Sequence, residues 1–215
     1  MKLVILSDDR LKNELEDAIG DSDITWIRQV DEFQQYENAD GYIDLLFDTS
    51  GERIEILKNL SPKPIIVNSV VATLKEMKAP FIRLNAWPGF LKRPVAEGSC
   101  GDKNIKLEAE KIFSFLNKKA RWVVDKPGFV SARVIAQIIN EAYFALQEGV
   151  STKKEIDVAM KLGTNYPLGP FEWCSKIGVS NIFSLLNKLG KTNERYKPAE
   201  LLTQEALHNG SHSKY

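Results

Sequence analysis

The spacing of hydrophobic positions divides the 215-residue chain into two parts with different periodicity. In the first part, short apolar runs alternate with short helical patterns, which predicts alternating strands and helices and therefore a mainly parallel sheet. The apolar runs are LVIL at residue 3, DITWIRQV, GYIDLLFDTS, KPIIVNSV, PFIRLNAW and RWVVD. The helical patterns cover residues 10–19, GERIEILKNL and NIKLEAEKIFSFLNKKA. The sequence thus predicts an α/β domain over residues 1–124.

From residue 130 onward, the apolar positions follow helical spacing alone, in a first stripe of about twenty residues. The segment STKKEIDVAMKLG carries Thr152 and Glu155 at the spacing of a capping box and is predicted to end at Gly163. SNIFSLLNKLG repeats the pattern between a predicted N-cap at Ser180 and Gly190 after the last turn. We therefore predict an all-helical domain over residues 125–215, with a polar tail, HNGSHSKY, at its end.

Composition excludes several classes of partner. Hydrophobic residues make up 43% and charged residues 27%, which is ordinary for a globular protein, and the formal net charge is zero. We expect no nucleic-acid partner and no membrane association, because the charges balance and no apolar run approaches the length of a membrane span. The two cysteines are far apart in the sequence and lack metal-site spacing, so no metal site and a reduced, cytoplasmic location are expected. Charges soon after the first apolar run argue against a signal peptide.

The histidine content limits the available chemistry. Both histidines, His208 and His212, lie in the polar tail. The rest of the chain therefore has no imidazole, which is the side chain that proteins use most often as a general acid or base near neutral pH.

A connector rich in glycine and proline, AMKLGTNYPLGPFEWCSKIG, joins two of the predicted helices. Pro167 and Gly169-Pro170 fix a turn, and Phe171 and Trp173 are predicted to enter a core. Together with DKPGFV…R…NEA…L.EGV…IDVAMKLG, this connector resembles the C-terminal helical domain of the 3-hydroxyacyl-CoA dehydrogenase family, from about residue 123 to residue 189. The first part resembles the family's Rossmann domain more weakly. It is shortened, because only a short segment after the second strand stands where the family has a helical arm that covers CoA.

The resemblance implies hydride transfer between NAD and the 3-hydroxyl carbon of an acyl-CoA. The turn LSDDRLK places Ser7, Asp9 and Lys12 at the three glycine positions of the family's cofactor turn. Glycine is needed there so that backbone N–H groups can approach the pyrophosphate. The two aspartates add negative charge, and we expect Asp8 or Asp9 to cap the first helix. NAD binding is therefore predicted to be weak or absent.

The resemblance also places the family's catalytic residues. Its histidine position is Asn85 in RLNAWPGF, and an asparagine amide cannot accept a proton at accessible pH. The glutamate that orients this histidine is retained as Glu97. The family's substrate-binding serine falls on Val70, next to a retained Asn68, and the hydroxyl of Ser69 replaces it only if the register shifts by one.

The polar asparagine that follows PGF in the family falls on Ala132, with Arg133 retained beside it. Three hypotheses follow. The favoured one is a catalytically impaired or non-catalytic family member, acting as a binding or regulatory dimer that still recognises an acyl-CoA or another small molecule. The alternatives are a diverged NAD-dependent 3-hydroxyacyl-CoA (3-hydroxybutyryl-CoA) oxidoreductase and a purely structural dimer. The missing glycines and histidine argue against the oxidoreductase.

The helical domain carries more apolar residues than a layer of this size usually buries, and this predicts a homodimer, as the resemblance also implies. The residues expected to contribute the dimer surface are Val134, Ile138, Phe144, Ile182, Phe183, Leu185 and Leu186.

Overall fold

The structure, a computed structural model, describes residues 1–19 and 23–212 and divides into two compact units, Met1–Phe129 and Val130–Tyr215. The end of the predicted polar tail, residues 213–215, lies outside the described residues. The first unit is the α/β unit and the second is the helical unit. The division falls a few residues after the boundary predicted at residue 124.

Hydrogen bonds explain why the segment after residue 124 belongs to the α/β unit. The Asp125 carboxylate accepts a bond from the Leu74 backbone N–H at 3.2 Å and pairs with Arg83 at 2.5 Å. The Gly128 N–H donates to the Val70 carbonyl at 2.8 Å. The DKPGF segment is therefore held on the first unit before the helical unit begins.

The α/β unit is built on one seven-stranded sheet, and the predicted mainly parallel sheet is confirmed. The strand order is β2-β1-β3-β4-β5-β6-β7. β1 to β5 are all parallel, β6 is antiparallel to β5, and β7 is parallel to β6. The strands are β1 (Leu3–Leu6), β2 (Ile24–Ile27), β3 (Gly41–Asp44), β4 (Ile65–Asn68), β5 (Ile82–Leu84), β6 (Val95–Ser99) and β7 (Lys119–Trp122).

The chain order 2-1-3-4-5 of the first five strands is that of a doubly wound sheet. The direction of winding reverses between β1 and β3, and in such sheets ligands bind outside the carboxyl ends of the strands near this point. The family resemblance explains the order, since leaving the third strand out of the Rossmann order 3-2-1-4-5-6 and renumbering the others gives 2-1-3-4-5.

Helices cover both faces of this sheet, which is why its strands read as continuous apolar runs. Alternate residues of β1 enter two separate clusters: Leu3 and Ile5 pack with α1 and α4, and Val4 and Leu6 pack with α2 and α3. The helices are α1 (Asp9–Ile19), α2 (Gly51–Lys58), α3 (Leu74–Met77) and α4 (Lys103–Phe115), and a 3-10 helix covers Val30–Gln35. β6 and α3 were not predicted from the sequence.

The helical unit contains five α-helices in its described part. They are α5 (Ser131–Gln147), α6 (Lys153–Thr164), α7 (Pro170–Ile177), α8 (Val179–Gly190) and α9 (Glu200–His212), with a 3-10 helix at Glu194–Tyr196. The predicted capping box of α6 is present, because the Glu155 carboxylate accepts the Thr152 backbone N–H at 3.2 Å and the Thr152 hydroxyl accepts the Glu155 N–H at 3.3 Å.

Three predicted helix boundaries are wrong. α6 continues past Gly163, and Asn165 supplies the left-handed residue that ends it, with φ of 56°. α8 starts at Val179 after Gly178, so Ser180 is not its N-cap, and Gly190 lies inside its last turn. Residues with positive φ, Asn165 and Gly178, mark the end of α6 and the start of α8, whereas Lys191 at the end of α8 keeps helical backbone angles.

Two segments that were predicted as turn or tail are helical. Proline at the first position and Glu172 in the first turn start α7, so the connector is a helix N-terminus as well as a turn. α9 includes most of the predicted polar tail, so His208 belongs to a helix. No helix in the described ranges has the length and apolar character needed to cross a bilayer.

Part of the argument for a dimer surface is wrong. Ile182, Leu185 and Leu186 are each 0% exposed and form the core of the helical unit itself. They cannot also contribute to a surface. Val134 is 52% exposed, and Ile138, Phe144 and Phe183 are partly buried.

Candidate functional site

The turn after β1 is closed by its own side chains. Ser7 is buried, and its hydroxyl donates to the Asp8 carbonyl at 2.9 Å. The Asp8 carboxylate accepts the Leu11 backbone N–H at 2.8 Å, so Asp8 caps α1. This cap uses one of the N–H groups at the helix N-terminus with which a phosphate would otherwise bond.

The second aspartate of the turn is paired with an arginine from β2. Arg28, which directly follows β2, forms an ion pair with the Asp9 carboxylate and donates to the Ser7 carbonyl at 3.1 Å. The hydrogen bond and the charge of Arg28 hold the pKa of Asp9 below its ordinary value. Arg28 was not predicted from the sequence as a site residue, although it is the first charged residue after the strand.

Lys12 stands at the third family glycine position, where a small residue lets the helix pack closely on the strand. Its ammonium lies 5.4 Å from the centre of the Trp26 ring in β2 and 3.5 Å from the Glu16 carboxylate. All three glycine positions thus carry side chains that are engaged within the turn or beside it. These side chains occupy positions at which glycine would leave the backbone open to a dinucleotide pyrophosphate, so the turn does not match the family's NAD-binding turn.

At the end of β5, the structure brings together the positions of the family's histidine and glutamate. The Asn85 side-chain amide donates to Glu97 Oε2 at 3.1 Å, and the Asn85 backbone N–H donates to the Glu97 carbonyl at 3.0 Å. Asn85 is 4% exposed, so its orientation is held by packing as well as by these bonds. The pair can present an amide to a ligand oxygen, but it contains no imidazole to take a proton.

Asn68 ties the carboxyl ends of three neighbouring strands together. Its amide N–H donates to the Leu45 carbonyl at 3.0 Å, and its oxygen accepts the Ala86 backbone N–H at 3.1 Å. Ser69, the proposed substitute for the substrate-binding serine, directs its hydroxyl to the Ala72 carbonyl at 3.0 Å. Both residues therefore have structural hydrogen bonds beside the Asn85–Glu97 pair.

A fully buried arginine, Arg83, joins the loop after β4 to the segment that follows residue 124. Its guanidinium donates to the Ser69 carbonyl at 2.9 Å and the Val70 carbonyl at 3.1 Å, in addition to its bond with Asp125. It also lies 4.6 Å from the centre of the Phe129 ring. Burial lowers the pKa of Arg83 and Asp125 opposes that shift, so the side chain is a paired buried cation. The only available signal in the sequence was a lone cation inside the apolar run PFIRLNAW.

A second buried ion pair lies where β3 ends, next to the point at which the sheet reverses. Asp44 is 0% exposed and accepts two bonds from Arg53, each of 2.7 Å. Burial raises the pKa of Asp44, while the Arg53 guanidinium opposes this shift. The pair neutralises its own charge, and bidentate geometry of this kind rigidifies the loop after β3.

The family-like connector of the helical unit forms a tightly packed corner. The Asp157 carboxylate accepts the Phe171 backbone N–H at 2.8 Å, and a Cβ on Gly169 would lie 2.3 Å from the same carboxylate. Phe171 and Trp173 are each 6% exposed, so both enter the core as predicted. At the other family positions, Ala132 is fully buried and the Arg133 guanidinium lies 5.6 Å from the Tyr196 ring.

A cavity of about 240 Å³ lies beside this corner within the helical unit. The Tyr143 hydroxyl donates to Glu205 at 2.6 Å and lies 3.7 Å from the Cys174 sulfur, while Lys153 pairs with Glu205 at 2.5 Å. Burial raises the pKa of both Tyr143 and Cys174. A thiol in this state is unreactive, and its polar neighbours bond to one another.

The described part of the chain contains no group of three histidine, cysteine, aspartate or glutamate side chains that could hold a metal ion. Cys100 and Cys174 are both free thiols.

Residues 128–214 match the sequence profile described as 3-hydroxyacyl-CoA dehydrogenase, C-terminal domain. A 3-hydroxyadipyl-CoA dehydrogenase of Escherichia coli K12 is 33% identical over 168 residues, which is 76% of this chain and 31% of that protein. A probable 3-hydroxybutyryl-CoA dehydrogenase of Bacillus subtilis 168 is 29% identical over 185 residues, which is 79% of this chain and 64% of that protein.

The chain belongs to the 3-hydroxyacyl-CoA dehydrogenase family. The crystal structure of an (S)-3-hydroxybutyryl-CoA dehydrogenase from Ralstonia eutropha superposes with a TM-score of 0.73 at 22% identity, covering 98% of this chain and 86% of that one, and it supports the fold. The chain spans less than two thirds of the length of the two relatives compared above. Membership of the 3-hydroxyacyl-CoA dehydrogenase family therefore describes its ancestry and fold, and its own activity requires a separate argument.

Proposed function

We propose that this member of the 3-hydroxyacyl-CoA dehydrogenase family is catalytically impaired and acts as a binding or regulatory protein. The observation that carries the proposal is the hydrogen bond between the Asn85 amide and Glu97. The resemblance assigns Asn85 to the position of the family's base, and an amide cannot accept a proton.

Hydride transfer from a 3-hydroxyacyl-CoA requires removal of the hydroxyl proton as the hydride leaves. Loss of a positioned acid–base group typically lowers the rate by about 10²–10⁴-fold. Glu97 has kept its place, but the group that it would orient is an amide. A retained carboxylate without its imidazole supports ligand positioning better than it supports proton transfer.

The cofactor turn supports the same proposal, and we propose that NAD binds weakly or not at all. An unpaired carboxylate 4 Å from a phosphate would oppose binding by about 4 kcal/mol at an effective dielectric constant of about 20. Arg28 offsets part of this repulsion, because it neutralises Asp9. The larger losses are then the Leu11 N–H, which is already bonded to Asp8, and the close backbone approach that glycine would allow.

As to partners, we propose an acyl-CoA or a related small molecule as ligand and a homodimer formed by the helical unit, with no nucleic-acid or membrane partner. The residues that support the dimer are the apolar ones that the core leaves partly accessible, namely Val134, Ile138, Phe144 and Phe183. We propose a cytoplasmic location, which is consistent with two free thiols. Light scattering tests the dimer, and a particle of 24.3 kDa at tens of micromolar would contradict it.

Turnover of 3-hydroxybutyryl-CoA by the purified chain tests the impaired function. With either NAD or NADP, we expect a rate at background. A kcat of about 1 s⁻¹ or more, within the usual range of enzymes, would contradict the proposal.

The matched variant is Asn85→His, combined with Ser7→Gly, Asp9→Gly and Lys12→Gly to reopen the turn. If the losses described above are the cause, this variant gains measurable turnover and Asn85→His alone gains much less. An Asn85→Gln control changes the side chain without adding a base and should remain at background.

A further inference from the structure

The carboxyl end of β2 carries a cation where an NAD-binding member of such a fold carries an acid. We propose that Arg28, with Lys12 and the turn that Arg28 contacts, binds an adenosine whose ribose carries a phosphomonoester. This end group is common to NADP and CoA. The inference rests on the proposal that the turn does not hold NAD. It assigns a ligand of different chemistry to the same carboxyl ends of the strands.

The position of Arg28 in the sheet supports the assignment. In doubly wound sheets the adenosine ribose lies near the end of the second strand, where an acid bonds the ribose hydroxyls of NAD and an arginine accommodates the 2′-phosphate of NADP. Here Arg28 directly follows β2. The first acids after it, Asp31 and Glu32, lie in the first turn of the 3-10 helix. Glu32 Oε1 accepts the backbone N–H groups of Arg28 and Gln29, at 2.9 and 2.7 Å.

The guanidinium of Arg28 has donors to spare. An arginine presents five N–H groups, and in the described part of the chain those of Arg28 make two contacts, with the Ser7 carbonyl and the Asp9 carboxylate. The side chain is 56% exposed. It can therefore turn two parallel N–H groups toward a phosphate, the geometry in which arginine binds phosphate most strongly.

Asp9 acts in this scheme as an internal substitute for the phosphate. Its side chain is 82% exposed and its pKa is lowered by Arg28, so it occupies the guanidinium as an anion. Exposed ion pairs contribute little to stability, so an incoming phosphomonoester can displace Asp9 into solvent. Lys12 adds a second cation on the same face of the sheet, above Trp26, and its own partner Glu16 is also exposed.

The carboxylates around Arg28 limit how tightly an anionic ligand can bind there. Asp9 and Glu32 contact it directly, and Asp8 lies in the same turn, where it caps α1. A ligand whose only anionic group is the pyrophosphate makes no bidentate contact with Arg28 that would offset repulsion by these carboxylates. A ligand with an additional phosphomonoester gains Arg28, so the preference between the two ligand types is the measurable signature.

Calorimetric titration of the full chain at low salt tests the inference with three matched pairs: 2′,5′-ADP against 5′-AMP, NADPH against NADH, and CoA against dephospho-CoA. We expect the phosphorylated member of the 2′,5′-ADP pair to bind at least about tenfold tighter, because one bidentate arginine contact is gained. The other two pairs identify the source, as NADP or CoA. Equal affinities within all three pairs would overturn the inference.

Two variants and one control separate ligand binding from a structural role of Arg28. Arg28→Met should abolish the preference, and Asp9→Asn should increase affinity for 2′,5′-ADP several-fold, because it removes the internal competitor. Lys63→Met removes an exposed cation just before β4, at the amino ends of the strands, and should change neither. If Arg28 serves only to hold the turn in place, Asp9→Asn lowers the melting temperature without improving binding of 2′,5′-ADP. That result would overturn the inference, and it can be obtained even if Arg28→Met fails to fold.

The outcomes of this experiment and of the turnover assay are independent. NADPH binding without turnover supports both proposals. Turnover with NADPH overturns the proposed impairment and leaves the ligand assignment in place. A chain that is inactive and shows no preference overturns the ligand assignment alone.

Discussion

The two units resemble the 3-hydroxyacyl-CoA dehydrogenase family through different kinds of residue. In the helical unit, the family-like residues are packing residues: Gly169 fits against Asp157, and Phe171 fills the core. In the α/β unit, the positions that the resemblance assigns to the family's glycines and histidine carry Ser7, Asp9, Lys12 and Asn85.

The difference teaches that a fold constrains packing residues more strongly than chemical ones. A Cβ at position 169 has no space, whereas the four residues in the α/β unit all have internal partners: Ser7 with Asp8, Asp9 with Arg28, Lys12 with Glu16 and Asn85 with Glu97. The α/β unit thus keeps its sheet, and the side chains at these positions form hydrogen bonds and ion pairs within the unit. Substitutions in the two units should therefore differ in their cost to stability.

The largest expected effect is the loss of an aromatic side chain from the corner of the helical unit. Phe171→Ala should destabilise the protein by about 3–5 kcal/mol, because Phe171 is 6% exposed and its ring packs 5.0 Å from that of Tyr143. Urea denaturation measures this. Leu162→Ala on α6, where the side chain is 83% exposed, is the control and should change stability by less than about 0.5 kcal/mol. Similar costs for the two variants would contradict the packing account of the corner.

In the α/β unit, the costliest change should fall on a residue that the family comparison does not single out. Arg83→Met removes the partner of Asp125 and leaves two carbonyls of the β4–α3 loop unpaired. We expect a loss of about 3 kcal/mol, at the low end for a broken buried pair because Asp125 is 26% exposed. Asn85→Ala should cost less than half of this in the same denaturation series. A larger loss for Asn85→Ala than for Arg83→Met would show that the Asn85–Glu97 pair, rather than Arg83, stabilises the carboxyl ends of these strands.

A pair of glycines in the helical unit should give effects of opposite sign. Gly169→Ala should destabilise by about 1–3 kcal/mol, since its Cβ would meet Asp157 at 2.3–2.4 Å. Gly163→Ala has open space and lies within α6, so it should stabilise by about 0.5–1 kcal/mol. Thermal denaturation of both variants checks the sign. Stabilisation by Gly169→Ala would show that contact with Asp157 does not constrain the residue at position 169.

The smallest effect concerns carboxylates at helix starts, one in each unit. Arg28 lowers the pKa of Asp9, and the hydrogen bonds from Lys161 and the Gly169 N–H lower that of Glu172. A carboxyl group whose pKa is lowered in the folded state stabilises the fold fully above its unfolded-state pKa, and this stabilisation is lost as the pH falls through its folded-state pKa. The melting temperatures of Asp9→Asn and Glu172→Gln should therefore lie slightly below that of the wild type at pH 7. The difference from the wild type should begin to shrink near pH 3.8 and pH 4.5, respectively, and should disappear as the pH falls through the lower folded-state pKa values. Differences that stay constant from pH 7 to pH 3 would contradict this assignment.

Hydrophobic periodicity was sufficient to predict the two-part architecture, because six of the seven described strands overlap the predicted apolar runs. β6 was missed because its sequence, VAEGS, has small and charged residues in its centre, and its place is set by pairing with β5. α7 was missed because proline and glycine indicate a turn equally well when they stand at a helix start.

The candidate site was predictable only in part, for a physical reason. The family spacing placed Asn85 and Glu97 together, and the structure joins them by a hydrogen bond. Arg28 and Arg83 were missed because their partners, Asp9 and Asp125, are 19 and 42 residues away, and such contacts depend on tertiary packing. Local patterns also could not show that the repulsive aspartate of the turn is neutralised.

Calorimetric titration with NADH tests the central claim most directly, namely that side chains of the α/β unit close the turn after β1 to NAD. The account predicts no saturation at NADH concentrations up to about 100 µM for the wild type. It also predicts binding at least about tenfold tighter for the variant Ser7→Gly, Asp9→Gly, Lys12→Gly, in which the turn is reopened. A wild-type dissociation constant of about 1–10 µM, unchanged in the reopened variant, would contradict it.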